Sequence, residues 1–263
     1  MTALLQDKNI VIYGAGGGMG RGIAETFARE GARLFLTGRT RAPLEAVAAE
    51  VTAAGGVADV AQVDALDERA VDEHLRSVVA EAGSVDVSFN LIARGDVQGR
   101  PLVEMAAADF LAPIAAGART NFITATAAAR RMIEQRSGVI MTVTSGSSHG
   151  TAPNMGGTGP ADAAVESLLR YLAAETGAHG VRVVGIWTAG VPETFPADRD
   201  DPETRRRGGL TAGDIESLMG PMTMLERPPR LDQVAATAAF LASDRAAAIT
   251  ATITNATCGL VPW

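Results

Sequence analysis

Lysine is nearly absent from this chain of 263 residues, where Lys8 is the only one. Acids outnumber bases by 30 to 23, for a net charge of -7. That balance argues against nucleic acid or an anionic membrane as the main partner. The single Cys258 excludes an intramolecular disulfide and points to a reducing compartment. No apolar run is long enough to span a bilayer. The charged pair Asp7-Lys8 leads straight into a strand pattern, so no signal peptide is expected and the chain reads as cytoplasmic. Three histidines and one cysteine lack ligand spacing, and no metal site is expected. Tyrosine is the other scarcity, with only Tyr13 and Tyr171.

What is present is alternation. Short apolar runs at Ile10–Tyr13, Arg33–Thr37, Ala58–Val63, Val85–Leu91, Gly138–Thr144, Arg182–Ile186 and Ile253–Asn255 read as strands. Helical patterns fall near Gly20–Glu30, Ala42–Ala54, Glu68–Ala82, Met105–Glu134, Asp162–Gly177 and Asp232–Ala242. This spacing implies right-handed βαβ crossovers. The expected fold is a single α/β domain of the Rossmann type over residues 1–263. About seven mostly parallel strands form its doubly wound sheet, with helices on both faces. One irregular stretch, 192–230, holds several prolines, acids between Asp198 and Asp201, and Arg205-Arg206-Arg207. A long loop at the carboxyl end of a strand reads as a substrate lid.

The first turn, Tyr13-Gly14-Ala15-Gly16-Gly17-Gly18-Met19-Gly20, links an apolar strand to a helix. Glycines there let the chain turn sharply and let a pyrophosphate approach backbone N–H groups at a helix N-terminus. The second strand ends in Gly38-Arg39-Thr40-Arg41, without the carboxylate that receives the ribose hydroxyls of NAD. Arg39 stands about 20 residues beyond Gly20, where a guanidinium favours a 2′-phosphate. NADP(H) is therefore expected over NAD, the plainer reading of Arg39 being a solvated surface residue.

Farther on, Val139–Glu175 joins a β-branched strand, the hydroxyl-rich loop Ser145-Gly146-Ser147-Ser148, and an alanine-rich helix. This plan resembles the catalytic segment of the short-chain dehydrogenase/reductase family, whose helix opens with Tyr-x-x-x-Lys. Gly14, Gly18 and Gly20 fit that family's glycine spacing. Asp64-Ala65 resembles its adenine-contacting pair. Asn90 is what remains of its Asn-Asn-Ala-Gly, and Ala189–Thr194 resembles the segment that holds the nicotinamide. The resemblance thus implies a nucleotide site at Gly14, Gly16, Gly18, Met19, Gly20, Arg39, Thr40, Asp64, Ala65, Asn90, Ile92, Thr144, Gly190, Val191 and Thr194. At the catalytic positions only Ser145 agrees. Thr158 stands at the tyrosine position, or Met155 in an alternative alignment, and Asp162 stands at the lysine position in both. Gly117 takes the place of the helix asparagine; Asn121 lies one turn away.

An alkyl hydroxyl such as that of Thr158 is too weak an acid to replace a phenol. Asp162 would accept bonds from ribose hydroxyls where lysine donates them. Thr158 as an N-cap and Asp162 near the helix dipole are the plain alternatives. His149 follows the serines, and its imidazole, a side chain suited to proton transfer, makes it a candidate acid. Met219, Met222 and Met224 give the lid an adaptable apolar face, for packing or for a small apolar substrate. Three functions follow. The first is an NADP(H)-dependent oxidoreductase on a small carbonyl, alcohol or enone with a non-standard proton donor. The others are a non-redox cyclase, isomerase or lyase, and a catalytically silent cofactor-binding subunit. The family resemblance also implies a dimer or tetramer formed through the helices Met105–Glu134 and Asp162–Gly177.

Overall fold

The computed structural model describes residues 3–150, 152–198 and 210–262. Seven strands form one sheet: β1 (Asn9–Tyr13), β2 (Arg33–Gly38), β3 (Val57–Gln62), β4 (Val87–Asn90), β5 (Gly138–Thr144), β6 (Val181–Thr188) and β7 (Thr252–Ala256). Their spatial order is β3-β2-β1-β4-β5-β6-β7. Every pairing among the described residues is parallel. Central strands such as β1 and β4 are buried almost along their length because both faces are covered, β1 being mostly apolar and β4 carrying buried Ser88 and Asn90. The edge strands β3 and β7 are part-exposed and more polar.

The helices form two layers. α1 (Gly18–Arg29), α2 (Arg41–Ala53) and α7 (Leu231–Ala242) bury Ile23, Phe27, Val47 and Val234 against one face. α3 (Glu68–Ala82), α4 (Ala107–Gln135) and α5 (Thr158–Thr176) bury Leu75, Ala128, Met132 and Leu169 against the other. Small residues on α4 and α5 let these helices lie close to the sheet and to each other. The chain moves outward from β1 to β3 and then returns to β4. That switch leaves a crevice at the carboxyl ends of β1 and β4, where this class of fold binds ligands.

Three expectations are corrected. α5 starts at Thr158 and not at Asp162, because Pro160 fits a first helical turn and does not extend the loop. Gly157 is its N-cap, so Thr158 does not cap it. The stretch read as an irregular lid holds α6 (Ala212–Met219), closed by a reciprocal cap between Thr211 and Asp214. Arg205, Arg206 and Arg207, with Asp200 and Asp201, lie outside the described residues.

Candidate active site

The glycine turn has the shape its composition demands. Gly14 has φ +79°, and a Cβ there would sit 2.8 Å from the carbonyl oxygen of Leu91. A Cβ on Gly20 would meet the Cα of Ala15 at 2.6 Å, so α1 can approach β1 only with glycine there. The N–H groups of Gly14 and Ala15 both donate to the Thr37 carbonyl, which ties the turn to β2. α1 begins after Gly17 with no side-chain cap and no acid in its first turn. Its leading N–H groups thus remain available to an anion. A Cβ on Gly18 would stand 3.0 Å from the Cα of Thr194, which shows how closely the β6 loop lies beside the turn. Tyr13 holds the place before the first glycine. Its ring is buried, its hydroxyl has no partner, and burial pushes its ionisation well up.

The remaining positions expected to meet a nucleotide gather at the same edge of the sheet. Arg39 and Thr40 are exposed after β2, and no carboxylate pairs with Arg39 among the described residues. Gln62 donates to the Arg39 carbonyl at 2.8 Å. Asp64 caps the N–H of Leu66, beside buried Ala65. Asn90 donates to Thr124 Oγ1 and accepts from the Ile92 N–H, while its own carbonyl accepts from Thr142. One asparagine therefore supports the end of β4. Thr144 lines the adjoining cavity, but its hydroxyl donates to Glu166.

A cleft of about 900 Å³ opens from Met19 in the first turn of α1, past Asn90 and Ile92, to Gly190, Val191 and Thr194. Ser145, Gly117 and Thr158 form its floor, and Leu210, Ile215, Leu218, Met219 and Met222 of the lid form its roof. Met224 does not reach it and packs on Gly259 instead.

Asp162 is fully buried beneath this floor. Its Oδ1 accepts from Arg94 Nη1 at 2.6 Å. Its Oδ2 accepts from Ser145 Oγ at 2.6 Å, from the Ser145 N–H at 3.1 Å and from the Ser147 N–H at 3.0 Å. The carboxylate therefore clamps the β5–α5 loop and aims Arg94. Arg94 also donates through Nε to Asp96 at 3.0 Å, and its side chain is only 13% exposed. Burial works against the guanidinium's charge, but the carboxylates of Asp162 and Asp96 outweigh it and raise its pKa. A Cβ at Gly117 would lie 3.2 Å from Arg94 Cδ, so the missing side chain makes room for the arginine. Thr158 is buried, and its hydroxyl accepts from Gln98 Nε2 at 3.0 Å. Met155 lines the same cavity wall. Asn121 donates to the carbonyl of Gly117 on its own helix.

One turn beyond Asp162, buried Glu166 accepts from Thr144 Oγ1, Ser148 Oγ and Trp187 Nε1. His149 Nε2 lies 3.9 Å from it, and the imidazole leans on Trp187 with centroids 5.0 Å apart. His149 does not line the cavity, so the candidate acid is directed to Glu166 and Trp187 instead.

A family model described as enoyl-(acyl carrier protein) reductase matches residues 14–261. The chain belongs to the short-chain dehydrogenase/reductase family. An uncharacterised oxidoreductase of Mycobacterium tuberculosis is 34% identical over 183 residues, covering 68% of this chain and 66%, just under two thirds, of that protein. The (-)-isopiperitenol/(-)-carveol dehydrogenase of Mentha piperita is 29% identical over 94% of this chain and 90% of its own. Among solved structures, a 7α-hydroxysteroid dehydrogenase with NADH and a 7-oxo bile acid superposes with TM-score 0.84 at 26% identity, covering 98% and 96%. A short-chain dehydrogenase/reductase of Mycobacterium ulcerans reaches 0.85 at 24%, covering 97% and 90%.

In this member of the family one cleft runs from Met19, beside the glycine turn, to Ser145. Sequence reading missed Arg94, Gln98 and Glu166. Glu166 carried a usable signal, since it follows Asp162 by one helical turn and shares its face. Arg94 carried none, because its partner is 68 positions away.

Proposed function

We propose that this chain is an NADP(H)-dependent oxidoreductase acting on a small apolar carbonyl, alcohol or enone. The observation that carries the reading is the continuous cleft from the uncapped start of α1 to Ser145, roofed by the apolar lid. Gly14 to Gly20 would receive the pyrophosphate, Arg39 a 2′-phosphate, and Gly190, Val191 and Thr194 the nicotinamide end. When bound, the nicotinamide supplies or accepts the hydride. The chain's own residues set position and charge around that exchange. Asp162 fixes the loop bearing Ser145, and the lid excludes water. The peppermint and steroid relatives are named for alcohols of apolar skeletons, which agrees with the apolar roof. The steroid enzyme holds NADH, so the preference for NADP(H) rests on Arg39 alone.

A second reading, a non-redox reaction on the same fold, is favoured by the missing phenol. A nepetalactol synthase of Nepeta racemosa is 27% identical over 95% of this chain. The deciding experiment is a fluorescence titration with NADPH and NADH, followed by a hydride-transfer screen. Tighter binding of NADPH with turnover of an apolar substrate supports the first reading. Binding without any hydride transfer moves the assignment to the second. Leu111 and Phe122 on α4 and Tyr171 on α5 are exposed apolar side chains, and we propose that a second copy covers them in a dimer or tetramer. Among the described residues no helix is long and apolar enough to cross a membrane.

A further inference from the structure

The cavity floor has no proton donor to spare and an excess of negative charge. Ser145 Oγ donates to Asp162, Thr158 offers only an alkyl hydroxyl, and His149 does not line the cavity. Arg94 is the only cation among the described residues that line it. Three carboxylates stand against that one guanidinium. Asp96 is part-exposed and lines the cavity, while Asp162 and Glu166 are buried behind Ser145 and Thr144. The balance is negative whether His149, 3.9 Å from Glu166, is neutral or protonated.

We propose that the chain reduces iminium compounds, in which a C=N bond set in an apolar skeleton already carries a positive charge on nitrogen. This substrate class goes beyond the carbonyl compounds and rests on the oxidoreductase reading. Asp96 is the carboxylate placed to meet the cationic nitrogen, because it lines the cavity itself and Arg94 Nε takes only part of its acceptor capacity. The apolar roof from Ile215 to Met222 receives the skeleton.

Hydride from the reduced nicotinamide adds to the iminium carbon, and the C=N pair moves onto nitrogen as a lone pair. The products are a neutral amine and the oxidised nicotinamide. No proton is consumed, so the floor needs no acid. The positive charge passes from the substrate nitrogen to the nicotinamide ring, and the reacting pair carries one positive charge from start to finish. Fixed carboxylates favour such a pair at every stage. A ketone meets the opposite situation, since hydride addition sets an alkoxide over the same carboxylates with no proton donor in reach.

The test compares two bicyclic probes of similar shape on the full chain. 2-Methyl-3,4-dihydroisoquinolinium is a permanent iminium, and 1-tetralone is an uncharged ketone. Calorimetric titration without nucleotide is expected to show the iminium bound about 10-fold more tightly or better, as one fixed charge facing a cation provides at intermediate dielectric. Asp96→Asn should weaken the iminium by about 3–10-fold and leave 1-tetralone unchanged. Glu166→Gln, which keeps the shape of a buried side chain, should act in the same direction. With NADPH added, the iminium should be reduced faster than the ketone, read by loss of nicotinamide absorbance. Equal affinity for the two probes, or no selective loss in either folded variant, overturns the proposal. Reduction of 1-tetralone without reduction of the iminium overturns it too, while leaving the oxidoreductase reading in place. Iminium binding through Asp96 in a chain that takes no NADPH removes the oxidoreductase reading, and the reduction falls with it.

Discussion

Replacing Asp162 by alanine should cost far more stability than a typical substitution on this helix. The carboxylate is completely buried and accepts four bonds, one from Arg94 and three from Ser145 and Ser147. Alanine strands a guanidinium that is 13% exposed, removes the acceptor of the Ser145 N–H and leaves the Ser147 N–H only a long 3.4 Å bond to Ser145 Oγ. Breaking a buried ion pair from one side costs about 3–5 kcal/mol. Arg94 keeps Asp96, which sets the expectation at the lower end, about 3 kcal/mol. In a chain of this size that lowers the melting temperature by roughly 6–12 °C. Urea unfolding followed by circular dichroism measures the loss, and a cycle with Arg94→Ala apportions it. The double variant should recover about 2–3 kcal/mol relative to the sum of the singles, because each single change leaves the other partner buried and unpaired. Simple additivity, or a cost below about 1 kcal/mol, would refute the view that these two residues act as one unit.

Four further outcomes are expected. Tyr13→Phe removes a buried hydroxyl without a partner and should stabilise the chain by about 1 kcal/mol in the same unfolding assay. His74 is half-buried with Nδ1 unpartnered, and burial lowers its pKa from 6.5 to about 4. The unfolded chain then binds more protons in that window, so stability should fall as pH drops from 6.5 toward about 4, and His74→Gln should flatten the slope of the acid titration. Arg39→Ala should weaken NADPH by about 10–100-fold in a fluorescence titration while leaving NADH unchanged, and equal losses would defeat the 2′-phosphate assignment. Simple ketones should be reduced about 10²–10⁴-fold more slowly than by relatives with the phenol–ammonium pair, as measured by nicotinamide absorbance.

The fold was legible because it is written in local patterns. β1 is apolar on both faces, α1 opens on glycines whose neighbours admit no Cβ, and each strand–helix alternation is complete within a few dozen residues. The candidate site was legible only where its residues act through their own backbone, as Gly14 and Gly20 do. Its charge balance was not. Asp162 stands out in the sequence as a substitution, but its partner Arg94 lies in a loop after β4 with no periodicity to mark it. The meaning of Gly117 appears only once the arginine is seen to pass over it. The place of His149 after the serines suggests an acid, yet the ring is drawn to Trp187 and Glu166, a cluster assembled from three separate elements. The lid helix α6 escaped because eight residues between prolines and glycines carry too little pattern.

The empty place at Gly117 has a consequence for how this part of the chain tolerates change. An asparagine there would crowd Arg94, a lysine at 162 would set like charges together in a buried site, and loss of Arg94 alone would abandon Asp162. Positions 94, 117 and 162 are therefore interdependent, and a residue at any one of them is acceptable only against the other two.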